Sequence, residues 1–149
     1  MLNLCLEWAG LGNQVESNGE IMTPIRIMIV DDQDVVRRGL SLFFDAFDDL
    51  ELVAEAANGL QAIQLCDEIK PDVILMDLMM PEMDGIAATK IIRQKHANIQ
   101  VIALTSVQDD ASVREMLNAG ALGYLLKNAS VDELANTIIS ASKAAQAGK

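Results

Sequence analysis

Aromatic residues are scarce in this chain of 149 residues: one Trp, one Tyr and three Phe. Its apolar share is nonetheless 51%. The core must therefore be built from Leu, Ile, Val, Ala and Met, and the length suffices for one domain. Cysteine is scarcer still, and Cys5 and Cys66 stand too far apart for a disulfide framework or a metal-ligand spacing. Cys66 reads as a small buried hydrophobe on a helix. Basic residues are few, 11 against 22 acids, for a net charge of −11. Phosphate neutralisation needs clustered Lys and Arg, so this balance excludes a grip on DNA or RNA by this chain and on an anionic membrane surface. No apolar run is long enough to span a bilayer. The first residues lack a basic stretch and carry Glu7, which makes a poor signal peptide. A cytoplasmic location is expected. Neither glycine-rich phosphate loop, Gly-x-x-x-x-Gly-Lys or Gly-x-Gly-x-x-Gly, occurs. The single histidine, His96, falls at a helix end, where its partial charge suits the dipole. No catalytic partner for it is evident, so a phosphohistidine role is not expected.

What is present is an alternation of apolar strands and amphipathic helices. Residues 1–23 stand apart: they hold no Lys or Arg, and 14–20 read as a polar linker. A flexible extension is expected there, with Met22 as a second candidate start; the other reading is an amphipathic helix docking through Leu4, Leu6, Trp8 and Leu11. From residue 24 the pattern gives strand 25–30, helix 34–47 with a Leu40/Phe43/Phe44/Phe47 stripe, strand 51–56, and helix 59–70 with Leu60, Ile63 and Cys66 inward. Pro71 ends that helix. Strand 73–76, helix 86–96, strand 100–104, helix 110–119 and strand 123–126 follow. The last helix opens on Ser130-Val131-Asp132-Glu133, a capping box. Five apolar, β-branched strands alternating with five helices predict a parallel sheet covered on both faces. Residues 24–142 form this unit, and 143–149 are a tail or the start of a linker.

The strand ends carry the chemistry. Asp31 and Asp32 follow the first strand, Asp77 the third, Thr105 and Ser106 the fourth, and Lys127 the fifth. In a parallel sheet these ends share one edge, with a crevice where the strand order reverses. Carboxylates brought together there repel: two charges ~4 Å apart cost roughly 4 kcal/mol at an effective dielectric near 20. A hard dication removes that penalty, and Mg²⁺ suits one or two carboxylates, waters and phosphate oxygens. Such a site would take a phosphoryl group, with Asp77 as nucleophile and Thr105 and Lys127 meeting its oxygens. Each residue also has a plainer reading. Asp77 can cap the next turn, Asp31 and Asp32 can cap the next helix, Thr105 and Ser106 can start one, Lys127 can be solvated, and Tyr124 can be core.

Asp31-Asp32, Asp77-x-x-x-Pro81-x-Met83-Asp84-Gly85, Leu104-Thr105-Ser106 and Gly123-Tyr124-Leu125-Leu126-Lys127 together resemble the receiver domain of two-component response regulators. Each motif alone is common; four in this order and spacing are specific. The resemblance covers about residues 24–142. It implies a flavodoxin-like (βα)5 fold with strand order 2-1-3-4-5, as in chemotaxis receivers. It implies Asp77 as phosphoacceptor, with Mg²⁺ (or Mn²⁺) held by Asp31, Asp32, Asp77 and the Met79 backbone carbonyl. Thr105 and Lys127 would contact the phosphoryl group, and Tyr124 would be an aromatic switch that follows Thr105. A sensor histidine kinase or a small acyl phosphate would be the donor, and a homodimer on phosphorylation is one outcome. The readout face would comprise 110–119, 123–126 and the last helix.

The residues around Asp32–Gly39 and Gly123–Ser130 are most similar to receivers with a LuxR-type helix-turn-helix output, which is absent here. Either the chain is a receiver from a longer transcription regulator, which the subfamily likeness favours, or it is a stand-alone regulator. Asn128 follows Lys127 where many receivers have proline, which puts a cis peptide there in doubt. Met79 and Val107 are apolar where a polar side chain would orient an attacking water, so slow autodephosphorylation is expected. Two competing classes remain: a haloacid-dehalogenase-like phosphatase, which would want an acid at position 79, and a pseudo-receiver, which would lack one of the acids or the lysine.

Overall fold

The computed structural model describes residues 14–15, 21–106 and 110–147. Its main sheet has five parallel strands: β1 (Ile25–Val30), β2 (Leu50–Ala56), β3 (Val73–Asp77), β4 (Gln100–Thr105) and β5 (Gly123–Leu126). They lie in the order β2-β1-β3-β4-β5. The helices are α1 (Asp34–Asp45), α2 (Gly59–Ile69), α3 (Gly85–Lys95), α4 (Asp110–Ala119) and α5 (Val131–Ala147). Upstream, Gln14–Val15 pairs antiparallel with Ile21–Met22. This is the flavodoxin-like (βα)5 arrangement that the alternating pattern predicts.

The pleat explains why the central strands read as unbroken apolar runs. Side chains alternate between faces, and here both faces are buried. Met28, Val30, Ile74, Met76, Val101 and Ala103 pack with Ala62, Cys66, Ala88, Ile92 and Met116 of α2, α3 and α4. Their neighbours Ile27, Ile29, Val73, Leu75, Ile102 and Leu104 pack on the other side with Phe44 of α1 and Leu134 and Ile138 of α5. Every residue of β3 and β4 is buried. Each large apolar side chain so buried stabilises the fold by about 1.5–3 kcal/mol.

Helix ends follow local chemistry. Asn58 caps α2 by accepting from the Gln61 N–H, and Asp84 caps α3 by accepting from the Ala87 N–H. The capping box of α5 forms both ways: the Glu133 N–H donates to Ser130 Oγ at 3.1 Å, and the Ser130 N–H to Glu133 Oε1 at 3.4 Å. Several sequence-based bounds shift by a residue or two. Helix α1 stops at Asp45 rather than 47, because the Ala46 N–H turns back to the Phe43 and Phe44 carbonyls and tightens the last turn. One side-chain expectation fails: Leu60 is half exposed, and Ala62 with Cys66 forms the buried stripe of α2. Leu60 lies in the first turn, one position off the inward arc. Burial, and then the nearby Asp67 charge, pushes the Cys66 thiol up to about 12, so it acts as a hydrophobe.

The loop after β3 is closed by Gly85. Its N–H donates to the Leu78 carbonyl at 3.0 Å. A Cβ on Gly85 would stand 2.0 Å from the Asp77 carbonyl oxygen, so only glycine lets α3 begin against the strand end.

Candidate functional site

Parallel pairing carries four strand ends to one edge. The register sets Val30 beside Met76, Asp77 beside Leu104, and Thr105 beside Leu126. The strand ends Asp77 and Thr105, residues of the loops that follow the strands, and Ser112 of α4 line a cavity of about 420 Å³: Asp32, Gln33, Asp77, Leu78, Met79, Thr105, Ser106, Ser112 and Lys127. Asp31 is fully buried against Lys127 of this lining, and Asp77 and Thr105 are buried too. The Lys127 N–H donates to the Thr105 carbonyl at 2.8 Å, which fixes the backbone from which the lysine reaches inward.

Lys127 is the hub of the site. Its Nζ lies 2.8 Å from Asp31 Oδ2 and 3.3 Å from Asp77 Oδ1. Gln33 Oε1 accepts from it at 3.5 Å. The acids Asp31, Asp32 and Asp77 bring one carboxylate oxygen each within 4.8 Å of one another. Burial, then the Asp31 charge, raises the Asp77 carboxyl above its ordinary range, and Lys127 only partly offsets them. Burial pulls the Lys127 ammonium down, but the hydrogen bond to Asp31 and the pull of Asp77 outweigh it and raise it overall.

Three carboxylates against one ammonium leave two negative charges, the charge a dication would cancel. Asp31 Oδ2 is buried, and the ammonium facing it, Lys127 Nζ, is shared with Asp77. Buried carboxylates that share one cation leave room for a second. The oxygen-only donor set suits Mg²⁺, and Mn²⁺ fits the same oxygens.

The site residues read from the sequence, Tyr124 excepted, fall on this cavity or beside it. Asp32, Asp77, Thr105 and Lys127 line it, and Asp31 lies beside Lys127 and the other two acids. Met79 lines the wall with its side chain 78% exposed. Tyr124 is apart, on edge strand β5, 37% exposed and over a shallow surface cavity with Leu126, Asn128 and Glu133. Val107 lies outside the described residues. The helix-cap reading of Asp31 and Asp32 does not hold. The cap position of α1 is Gln33, without a side-chain cap, and Asp31 Oδ1 instead accepts from the Gln33 N–H at 2.8 Å. Among the described residues no peptide bond is cis, Lys127-Asn128 included. Sequence reasoning missed Gln33 and Ser112. Adjacency to the Asp pair could have flagged Gln33; nothing local marks Ser112, which α4 brings in from across the crevice. His96, for which no catalytic partner was expected, pairs through Nε2 with Asp67 at 2.8 Å, away from this cavity.

Comparison with known proteins agrees with the geometry. The pattern of the response regulator receiver domain matches residues 27–139. The chain is 46% identical over 119 residues to the transcriptional regulatory protein LiaR of Bacillus subtilis (strain 168), covering 80% of this chain and 56% of LiaR. It is 40% identical over 119 residues to the response regulator protein VraR of Staphylococcus aureus (strain NCTC 8325 / PS 47), covering 80% of this chain and 57% of VraR. The chain thus spans about half the length of these curated relatives. Among solved structures, a LuxR-family two-component response regulator from Aurantimonas sp. SI85-9A1 superposes with a TM-score of 0.77 at 34% identity, over 82% of this chain and 87% of that one. The response regulator domain of Thermotoga maritima CheB gives 0.75 at 34% identity, over 80% and 97%. A haloacid-dehalogenase-like phosphatase is not favoured, since Met79 stands where its second acid would be. By its fold, its acidic crevice and these likenesses, the chain belongs to the response regulator receiver domain family of two-component systems.

Proposed function

We propose that this chain is a Mg²⁺-dependent switch that accepts one phosphoryl group on Asp77. The observation that carries the reading is the Lys127 ammonium set between Asp31 and Asp77, beside Asp32, in an open cavity. Receiver domains are phosphorylated by histidine kinases, and that supports a sensor histidine kinase as donor. In the step, an Asp77 carboxylate oxygen forms a bond to phosphorus. The bond from phosphorus to the donor breaks, and its electron pair leaves with the kinase imidazole nitrogen or, from acetyl phosphate, with acetate. Mg²⁺ held by Asp31, Asp32, Asp77 and the Met79 carbonyl would supply charge neutralisation for the phosphoryl oxygens. Lys127 then exchanges a carboxylate partner for a phosphoryl oxygen, and the Thr105 hydroxyl donates to another. Transfer is stoichiometric, not a multiple-turnover reaction.

Asp77 is already anionic, so phosphorylation adds only about one unit of charge. The lever is geometric: new acceptor oxygens draw Thr105 and Lys127 inward and bias two pre-existing states. Tyr124, which now stands half in solvent, would turn inward behind Thr105. The changed face comprises α4, β5 and α5, and homodimer formation is one readout. The working unit is residues 24–142, with 1–23 and 143–149 as flanks. Within a longer cytoplasmic parent protein the output would be transcription, as the names of the relatives suggest. This chain, at a net charge of −11, would contact neither nucleic acid nor membrane itself; among the described residues no helix is long and apolar enough to cross a membrane.

Intact-mass spectrometry after incubation with acetyl phosphate and Mg²⁺ tests the reading. One added phosphoryl group is expected, absent in Asp77→Ala and in EDTA. A folded wild-type protein that gains no adduct and releases no phosphate sinks it. Met79 offers no group to orient water, so the adduct is expected to outlast minutes; a half-life of seconds would refute that.

A further inference from the structure

We propose that Arg37 is a positioning residue for the phosphoacceptor site, holding the Asp31-Asp32 peptide so that both acids face a cation; the inference rests on the Mg²⁺ reading above. Arg37 sits in the first turn of α1, outside the cavity, and its side chain is only 17% exposed. Its guanidinium makes three contacts at once. Nη1 donates to the Asp31 backbone carbonyl at 2.5 Å. Nε donates to Glu55 Oε1 at 3.2 Å, at the end of β2. Nη2 pairs with Asp34 on the same helix. A planar fork spreads these contacts over three nitrogens, whereas an ammonium would have to gather all three acceptors around one.

The Asp31 carbonyl is the critical acceptor. The Asp31 N–H is the last rung toward β2, donating to the Ala56 carbonyl at 3.0 Å. Beyond it the sheet ladder ends, and among the described residues no strand pairs with Asp31. That oxygen defines the plane of the Asp31-Asp32 peptide, and the plane sets the direction of the Asp32 side chain. Among the described residues no hydrogen bond holds the exposed Asp32 carboxylate. Asp31 is held at N–H, carbonyl and Oδ1, which leaves Oδ2 turned toward Lys127 and the site. Arg37 supplies the restraint that backbone pairing cannot. Glu55 and Asp34 hold the guanidinium in place and balance its charge, so its action is geometric more than electrostatic.

A brace for stability alone would give the same contacts, so the test separates affinity from stability. Mg²⁺ is titrated calorimetrically into the wild type, Arg37→Gln, Arg37→Lys and Ile92→Val, with unfolding midpoints measured without metal. Ile92 lies in the core on the opposite face of the sheet, so its truncation destabilises without touching the site. Arg37→Gln is expected to weaken Mg²⁺ about tenfold, Arg37→Lys less, and Ile92→Val by under twofold despite its lower midpoint. Hydrogen exchange at the amides of Asp32 and Gln33 should quicken in Arg37→Gln alone. A folded Arg37→Gln that binds Mg²⁺ within twofold of wild type overturns the proposal. If Arg37→Gln does not fold, Arg37→Lys with wild-type Mg²⁺ affinity overturns it as well. A wild-type chain that binds no Mg²⁺ overturns the metal reading, a result distinct from either.

Discussion

Asp77 and Asp67 each lie about 3 Å from a lysine, and their carboxyl groups are shifted in opposite directions. Asp67, on α2, faces His96 Nε2 at 2.8 Å and Lys95 Nζ at 3.0 Å on the surface. The hydrogen bond to His96, and then that to Lys95, lowers its carboxyl below the ordinary range. Asp77 has Lys127 at 3.3 Å, yet burial and the Asp31 charge raise it. A cation at hydrogen-bond distance therefore does not decide the state of an acid. What decides it is how much water is lost and how many like charges share the cation. The surface cluster is complete as it stands, two basic groups to one acid. The crevice holds three acids to one lysine and is arranged to gain something more. That imbalance marks a site poised to bind, in contrast to an exposed ion pair of little energetic weight.

The contrast can be broken by substitution. Lys127→Met should have the largest effect, because it leaves Asp31 and Asp77 facing each other without a cation. A loss of about 2–3 kcal/mol is expected by denaturant unfolding at pH 7. That is less than the roughly 3–5 kcal/mol of a fully buried pair, because some water still reaches the lysine. Millimolar Mg²⁺ should restore part of it. An unchanged midpoint would mean that the crevice is already solvated enough to screen its acids.

Asp77→Asn should act in the opposite direction. A carboxyl raised in the native state binds its proton more tightly there than in the unfolded chain. Stability then falls as pH rises from the ordinary carboxylate value through the raised one, and the cost is complete above it. Removing the charge should stabilise the protein at pH 7 by on the order of 1 kcal/mol. The gain should shrink to nothing as the pH drops below the ordinary carboxylate value. A pH-independent gain would assign it to packing and not to charge.

Lys95→Ala should have the smallest effect. The Asp67 carboxyl is lowered, so its contribution is present above the ordinary carboxylate value and lost as pH falls through the lowered one. At pH 7 that contribution is screened by solvent, and His96 still faces the acid. No resolvable shift in the unfolding midpoint is expected. A clear loss would erase the distinction between the two clusters.

The unequal legibility of the two clusters has a physical cause. Asp31, Asp77, Thr105 and Lys127 stand at strand ends, and strand ends are visible as polar residues terminating apolar runs. Once the sheet is parallel, they must meet. Asp67 on α2 and His96 at the C-cap of α3 are 29 residues apart, and no local pattern announces their contact. The same holds for Ser112, brought to the crevice by α4, and for Arg37, whose partners lie just after β1, on β2 and on its own helix. Leu60 failed for a related reason: helical periodicity gives an apolar arc, and only packing decides which edge of it is covered.

By itself, the order of residues determined the alternation of strands and helices, the buried sheet, the capping box at Ser130 and the acids at the strand ends. Those follow from short-range rules of periodicity, burial and backbone chemistry. Only the tertiary structure decided that Asp31 would be fully buried, that Lys127 would divide itself between two acids, and that Arg37 would take up the Asp31 carbonyl. Those outcomes depend on distances and lost water set jointly by elements far apart in the chain, because a charge is priced by its surroundings and not by its neighbours in sequence.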